Sequence, residues 1–354
     1  MSLVKFRARG FRSLAPVDIE PHPRFNLISG VNASGKTSLL ESIYYLGRGR
    51  SFRGTGNREL VQTGEQGFAL FGEVSSGDQK QRTGVEVTTN ERRIKVNGDS
   101  GTSADLARIL PVQAIDPEVH QLVQGGPDER RRFLDWGVFH VKHTYLSEWR
   151  QYHKVLKQRN AALRAQQAAK QIITWNESLI THALALQQAR EEYLTHFEPL
   201  FSSICSDYLE IEAKCSYKPG WPAGRNFSES LDITLDSDIS KGFTQNGPHR
   251  ADLYLEVTDR RARHRVSRGQ QKLIAAALII SQLNYLATES DADHVLLVDD
   301  PAAELDRDNR FKLFQLLEDV PAQLFITALE VDNLASFATG LKYQLVNGEL
   351  SSLL

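Results

Sequence analysis

Cysteine is scarce in this sequence: among 354 residues there are only Cys205 and Cys215. A small secreted fold held together by disulfides is therefore excluded, and the two cysteines are expected to be packing residues. Long apolar runs are also missing, since the longest, residues 273–280, is far short of the ~20 residues that cross a membrane. Charges interrupt the N-terminal segment, which argues against a signal peptide. We therefore expect a soluble, cytoplasmic protein.

An excess of basic charge is absent as well. The 42 Lys and Arg residues face 44 Asp and Glu, for a formal net charge of −2. A globally basic nucleic-acid binder is excluded, and any nucleic-acid surface must be a local patch. The chain is long enough to bury a core and, at ~150 residues per domain, to form two domains.

The pattern of apolar and polar residues divides the chain into three stretches. Residues 1 to about 112 alternate apolar and polar residues, as strands do. Between residues 128 and 210 glycine and proline occur once each, and apolar spacings of three, four and seven predict long amphipathic helices. From about residue 247 strands return, including the apolar run 294–298 that is typical of a parallel sheet. We predict an α/β fold interrupted by a helical insertion, with segments 1–122, 123–240 and 241–354.

A phosphate-binding motif stands near the N-terminus. Residues 30–37, GVNASGKT, match G-x-x-x-x-G-K-[ST] and lie between a predicted strand, 25–29, and a predicted helix, 38–46. In a P-loop of this kind, backbone N–H groups close around phosphate oxygens, and the helix N-terminus adds partial positive charge. Lys36 is expected to reach the β- and γ-phosphates of ATP, and the Thr37 hydroxyl to bind Mg²⁺. The predicted nucleotide-binding residues are Gly30, Val31, Asn32, Ala33, Ser34, Gly35, Lys36, Thr37 and Ser38.

An acidic pair closes the buried strand 294–298. Asp299 is placed to hold the Mg²⁺ ion and its water shell, and Asp300 to polarise an attacking water. An acidic strand-to-loop junction is common, so the prediction depends on the P-loop earlier in the chain.

Residues 267–272, SRGQQK, precede a predicted helix and resemble the signature motif of ATP-binding-cassette (ABC) ATPases. In that superfamily the signature of one subunit contacts the γ-phosphate held by the other. The resemblance implies catalytic roles for Ser267, Gly269 and Gln270. It further implies that residues 303–306 form a D-loop containing Asp306, and that Gln113 is the Q-loop glutamine, a candidate metal ligand beside Thr37 and Asp299.

Over nearly its whole length the chain resembles the RecF family of bacterial recombination mediators. The resemblance rests on residues 46–53 (LGRGRSFR), 117–118 with 125–135 (PE, GGPDERRRFLD), 157–163 (KQRNAAL), 247–253 (GPHRADL) and 267–270 (SRGQ). It implies an ABC-type ATPase head, with a mixed sheet plus antiparallel strands, and an inserted helical second lobe. It also implies ATP-dependent dimerisation, binding to single-stranded and gapped duplex DNA, and a role with RecO and RecR in loading RecA at single-strand gaps.

Two residues depart from the wider ABC pattern. Asp300 stands where transporters usually have Glu, and Ala328 where they place a catalytic His. Both departures predict slow turnover, so that hydrolysis acts as a timer on a clamp. Together with the family resemblance, they imply a weak, DNA-stimulated ATPase that serves as a switch.

Basic residues are clustered despite the balanced charge. Such clusters suit phosphodiester backbones with little sequence readout, although a solvated face is the ordinary alternative for any one of them. The DNA-contact candidates are Arg48, Arg50, Arg53, Arg130, Arg131 and Arg132.

Other functions fit parts of the sequence. A transporter's nucleotide-binding subunit fits the ATPase motifs, but not the missing His or the segment LGRGR. An SMC-like chromosome ATPase needs hundreds of heptad residues between Lys36 and Ser267, where this chain has mostly globular sequence. A nucleotide-dependent nuclease would need a metal-binding cluster after the ATPase core. A scaffold that only binds ATP stays open, and turnover measured with and without DNA would separate it from an ATPase.

Overall fold

The computed structural model describes residues 2–76, 79–289, 294–302, 305–330, 337 and 339–353. Two compact units divide the chain. The first unit combines Met1–Val119 with Arg268–Leu354, and the second is His120–Ser267. The second unit ends at Ser267, after the predicted boundary at 240/241. The reason is that the strand at 252–257 pairs with the strand at 213–218, within the second unit. The segments 1–122, 123–240 and 241–354 otherwise stay a prediction of domain organisation.

Within the described residues the elements are as follows in chain order. The strands are β1 (Ser2–Arg9), β2 (Val17–Ile19), β3 (Phe25–Ser29), β4 (Gly67–Ser76), β5 (Gln79–Thr88), β6 (Arg92–Val96), β7 (Asp99–Ser100), β8 (Val112–Ile115), β9 (Ala213–Lys218), β10 (Asp252–Val257), β11 (Arg260–Arg261), β12 (His294–Val298), β13 (Ala322–Ala328), β14 (Leu341–Val346) and β15 (Glu349–Leu353). The helices are α1 (Lys36–Arg48), α2 (Asn57–Leu60), α3 (Ser103–Ile109), α4 (Gln121–Gln124), α5 (Pro127–Val141), α6 (Tyr145–Arg164), α7 (Ala169–Ile173), α8 (Asn176–Leu209), α9 (Phe227–Lys241), α10 (Arg268–Glu289) and α11 (Arg307–Asp319), with short 3-10 turns at Pro248–Arg250 and Ala262–His264.

The first unit contains two sheets. The order β15-β14-β3-β13-β12-β8 gives a sheet whose inner strands are parallel, as expected because β12 and β13 are buried along their whole length. The order β2-β1-β4-β5-β6-β7 gives an antiparallel sheet from the alternating N-terminal segments. The predicted α/β fold with parallel and antiparallel strands is confirmed.

The core of the first unit is built on α1. Leu39, Ile43 and Leu46 of α1 are fully buried and join apolar side chains from both sheets. Because the same helix begins at the phosphate-binding motif, its packing holds that motif against the ends of the parallel strands. Among the described residues, no helix is long and apolar enough to cross a membrane.

Helices dominate the second unit. In α8, the helix of residues Asn176–Leu209, the predicted apolar face is buried throughout, at Leu179, Ala183, Leu186, Tyr193, Phe197 and Phe201. The segment between the two long helices, α6 and α8, contains the short helix α7. A small sheet, β11-β10-β9, completes the unit.

Candidate nucleotide site

The phosphate-binding motif forms the turn between β3 and α1. A Cβ on Gly30 would lie 2.4 Å from the backbone oxygen of Leu345, so a side chain does not fit there. Gly35 has φ of 109°, a conformation that L side chains rarely adopt. The backbone conformation of the turn therefore requires glycine at both positions. Val31, in the same turn, is exposed.

Two side chains of this turn are suited to phosphate. The Lys36 ammonium is buried and donates to the backbone oxygens of Gly30, at 2.6 Å, and Val31, at 3.0 Å. Burial lowers the pKa of Lys36, and the charges of Asp300 and Asp299 oppose that shift. The Ser34 hydroxyl is buried and has no hydrogen-bond partner within the described part of the chain. A phosphate in the turn would satisfy that hydroxyl and give the lysine an anionic partner, so these residues fit a nucleotide.

Asp299 is the centre of a hydrogen-bonded group. One carboxylate oxygen accepts from the Thr37 hydroxyl at 2.7 Å, and the other accepts from the Thr327 hydroxyl at 2.8 Å. The Thr327 hydroxyl also accepts from the backbone N–H of Asp300 at 2.9 Å. The structure therefore brings together Thr37 and Asp299, the pair expected to hold Mg²⁺. Thr327, the residue before the last of β13, was not predicted as a site residue.

Asp300 has an unusual backbone and an altered charge environment. Its φ is 46°, in the left-handed region that Asp tolerates better than most residues. Burial, followed by the charge of Asp299, raises the pKa of Asp300, while Lys36 and Lys272 lower it. A carboxyl group whose pKa is raised is a better proton acceptor, which suits the predicted role toward water.

A third carboxylate lies at the same sheet edge. Asp116 follows β8 as Asp299 follows β12, and Asp299 donates its backbone N–H to the oxygen of Ile115 at 2.9 Å. Burial and the charge of Asp299 raise the pKa of Asp116 to about 6. Sequence reasoning missed this residue, although an acid directly after a buried strand was the signal used for Asp299.

Gln113, a predicted metal ligand and catalytic residue, is engaged elsewhere. Its side-chain amide donates to the Gln282 side chain of α10 at 2.5 Å, in a buried pair. A role toward metal requires that amide to leave Gln282, and it stays a prediction.

The predicted signature residues lie at the start of α10. Ser267 directly precedes the helix, while Gly269 and Gln270 lie in its first turn. Asp306 is the N-cap of α11, where its carboxylate accepts from the Asn309 backbone at 2.8 Å. Residues 303 and 304 of the predicted D-loop lie outside the described residues. The catalytic roles of these residues stay predictions.

The six DNA-contact candidates separate into distinct environments. Arg50 and Arg53 are exposed, on either side of Ser51, which is buried and donates to Glu41. Arg48 is half-buried, with its guanidinium 5.5 Å from the centre of the Tyr44 ring, and burial lowers its pKa.

The arginines of α5 require a correction. Arg130 is buried and forms a two-pronged pair with Asp252, at 2.7 and 3.1 Å. Its guanidinium is therefore engaged inside the unit, which argues against the predicted DNA contact. Arg131 is mostly buried and donates to Asp128 and to the Ala251 oxygen, so it is also committed within its unit. Arg132 is exposed and paired with Glu129.

The order of the strands defines the class of protein. In the parallel sheet, β13 separates the P-loop strand β3 from β12, which is followed by Asp299, the partner of Thr37. A P-loop with this arrangement, together with an antiparallel sheet, is an ATPase head of the ABC type.

Comparisons with known proteins define the family. The family model described as "RecF/RecN/SMC N terminal domain" matches residues 2–350. The DNA replication and repair protein RecF of Shewanella pealeana is 36% identical over 333 residues, which cover 93% of this chain and 92% of that protein. RecF of Pseudoalteromonas translucida is 34% identical and covers 98% of this chain and 96% of its own length. The chain belongs to the RecF family of DNA replication and repair proteins.

Solved structures agree with this assignment. The recombination mediator RecF with ATP, of the RecFOR pathway, has a TM-score of 0.89 and 27% identity, covering 100% of this chain and 98% of that chain. An Smc head bound to the C-terminal winged-helix domain of ScpA has a TM-score of 0.59 at 14% identity, which supports the fold alone. The predicted ABC-type head is confirmed, and RecF family membership decides against the transporter alternative.

Proposed function

We propose that this chain is an ATP-dependent DNA-binding clamp of recombinational repair, in which nucleotide binding controls retention on DNA. The observation that carries the proposal is the direct contact of Thr37 with Asp299 beside a P-loop, in a chain of the RecF family. Solved RecF with ATP supports ATP as the nucleotide.

ATP is held by the P-loop backbone and by two side chains. Backbone N–H groups at the start of α1 surround the phosphates, Lys36 contributes its positive charge, and the Ser34 hydroxyl gains an acceptor. Thr37 and Asp299 hold Mg²⁺, which neutralises phosphate charge when bound. Thr37 and Asp299 supply only two of the oxygen ligands that Mg²⁺ requires, so we expect the ion to bind together with the phosphates.

Asp300 accepts the proton of an attacking water during hydrolysis. Its raised pKa supports this role, and its side chain, shorter than that of Glu, supports slow turnover. Slow hydrolysis serves as a timer, so the ATP-bound state lasts long enough to hold DNA. The residue after Thr327 is Ala328, which offers no second group to assist the water.

ATP joins two subunits head to tail. The N-terminus of α10, with Ser267, Gly269 and Gln270, faces the γ-phosphate held by the partner subunit. ADP lacks that phosphate, so the two nucleotides have different affinities for the dimer, and hydrolysis releases it.

DNA contacts are mainly electrostatic and independent of sequence. The exposed pair Arg50 and Arg53 is the leading candidate, because its local backbone is fixed by buried Ser51. The substrate is DNA with single-strand gaps, and the clamp acts with RecO and RecR to load RecA there.

The test is sedimentation with ATP, with ADP and without nucleotide, in the presence and absence of gapped DNA. ATP is expected to produce a dimer that stays on DNA, and Asp300→Asn is expected to prolong it. Asp299→Asn is expected to weaken Mg²⁺–ATP binding itself. Monomers under all conditions, or identical behaviour of the two variants, would contradict the proposed roles.

A mixing experiment tests whether the site is shared. Ser267→Arg places a bulky side chain where the partner's phosphate must lie, and Lys36→Met removes the phosphate-facing charge. Each variant alone is expected to be inactive, while a mixed dimer rebuilds one complete site and recovers part of the ATPase activity. Mixed dimers without recovery would count against a shared site. Absence of turnover in the unaltered protein, with ATP bound, would instead indicate a scaffold.

A further inference from the structure

Two acids stand side by side at the edge of the parallel sheet. In the register of β8 and β12, Ile115 pairs with Val298, and the backbone N–H of Asp299 donates to the Ile115 oxygen at 2.9 Å. The next residue of each strand is an aspartate, Asp116 on one side and Asp299 on the other. Asp116 therefore lies beside the residue that binds Thr37 of the P-loop.

The charged groups around Asp116 differ from those around Asp300. Lys36 and Lys272 act on Asp300 and oppose the rise in its pKa. For Asp116 the largest charge effects come from two carboxylates, Asp299 and Glu118, and each raises its pKa. Hydrogen bonds from the backbone N–H groups of Glu118 and of Asp116 itself lower it.

Both oxygens of Asp299 already accept hydrogen bonds from threonine hydroxyls, those of Thr37 and Thr327. The buried, unpartnered hydroxyl of Ser34 independently indicates a phosphate ligand at the same place. A triphosphate bound at the P-loop is repelled by the negative charge of Asp116, unless a divalent cation accompanies it.

We propose that Asp116 is a positioning residue for the metal–nucleotide complex, whose charge, acting through water, makes ATP binding depend on a divalent cation. The inference rests on the proposed ATP site and adds a residue to it. Without the cation, Asp116 repels the triphosphate. With the cation, the same charge strengthens its binding.

A structural role for Asp116 predicts something different. Its carboxylate accepts hydrogen bonds from the backbone N–H groups of Glu118 and of Asp116 itself. Asn forms a turn of this kind equally well. Asp116→Asn therefore removes the charge and keeps the turn, and Asp116→Ser does the same with a shorter acceptor. Glu118→Gln is the matched control, because it removes an exposed carboxylate from the same loop.

The experiment is equilibrium binding of ATP, first in EDTA and then across a Mg²⁺ titration. In EDTA, Asp116→Asn is expected to bind ATP about 3- to 10-fold more tightly than the unaltered protein. In the titration, it is expected to need about 3- to 10-fold more Mg²⁺ for half-saturation. Asp116→Ser should follow it, and Glu118→Gln should stay within about 2-fold of the unaltered protein.

The diagnostic result is that Asp116→Asn strengthens ATP binding in EDTA but raises the Mg²⁺ concentration needed for half-saturation. Weaker binding by the same factor with and without Mg²⁺ would assign Asp116 to the turn alone and overturn the inference, as would an unchanged Mg²⁺ requirement. Failure of the unaltered protein to bind ATP at all would overturn the proposed function, and the inference with it. Circular dichroism of each variant establishes that it is folded.

Discussion

Thr327 tests how the acidic pair is held. Its buried hydroxyl donates to Asp299 at 2.8 Å and accepts from the backbone N–H of Asp300 at 2.9 Å. Thr327→Val keeps the shape and removes both hydrogen bonds. A buried N–H left without a partner costs about 1–3 kcal/mol, and a hydrogen bond to a charged group contributes about 1.5–3 kcal/mol. We expect the first unit to lose about 3–5 kcal/mol of stability.

Thr327→Ser is the matched control. It keeps the hydroxyl and loses one buried methyl group, at about 1 kcal/mol. All four tryptophans lie in the second unit, so their fluorescence reports on that unit. Amide hydrogen exchange of the peptide containing Asp299 and Asp300 reports on the first unit, and should accelerate much more in the valine variant than in the serine variant. Equal acceleration in the two variants would refute the hydrogen-bond argument.

Three further outcomes are expected. Lys36→Met should bind ATP about 10- to 100-fold more weakly while staying folded, which calorimetry with a melting control would measure. Arg130→Ala should destabilise the second unit by about 2–4 kcal/mol because it removes two hydrogen bonds to Asp252 and leaves that carboxylate with Arg261 at 3.3 Å, whereas Arg132→Ala should change it by less than about 0.5 kcal/mol; denaturant titration followed by tryptophan fluorescence distinguishes them. Burial lowers the pKa of His249 to about 4, so the unfolded chain binds its proton first. The second unit should therefore lose up to about 3 kcal/mol as pH falls from about 6.5 to about 4, and His249→Gln should flatten that slope.

Features that depend on a short, continuous segment of chain were predictable from the sequence. The P-loop is continuous in the chain and determines its own strand, turn and helix. The buried face of α8 repeats at helical spacing from Leu179 to Phe201. Asp299 was found because it follows an apolar run that is typical of a parallel strand. In each case the physical cause lies within a short segment.

Features created by chain packing were not predictable in this way. Asp116 can be recognised as a neighbour of the nucleotide site only when β8 is known to lie beside β12. Thr327 can be recognised only when its hydroxyl is known to contact Asp299. Arg130 looked like a surface charge because its partner Asp252 is distant in sequence. The second unit continues past residue 240 because β10 pairs with β9. Each depends on a pairing between segments far apart in the chain.

The order of the parallel sheet has a consequence for biosynthesis. β3, which leads into the P-loop, has β13 and β14 as its neighbours, and both are made after the whole helical unit. Thr37 and its partner Asp299 are 262 residues apart. A growing chain therefore carries its P-loop strand unpaired on both edges throughout most of translation, when such edges are open to misassociation. ATP cannot assist folding at this stage, because the nucleotide site is completed only after the last inner strand has been added.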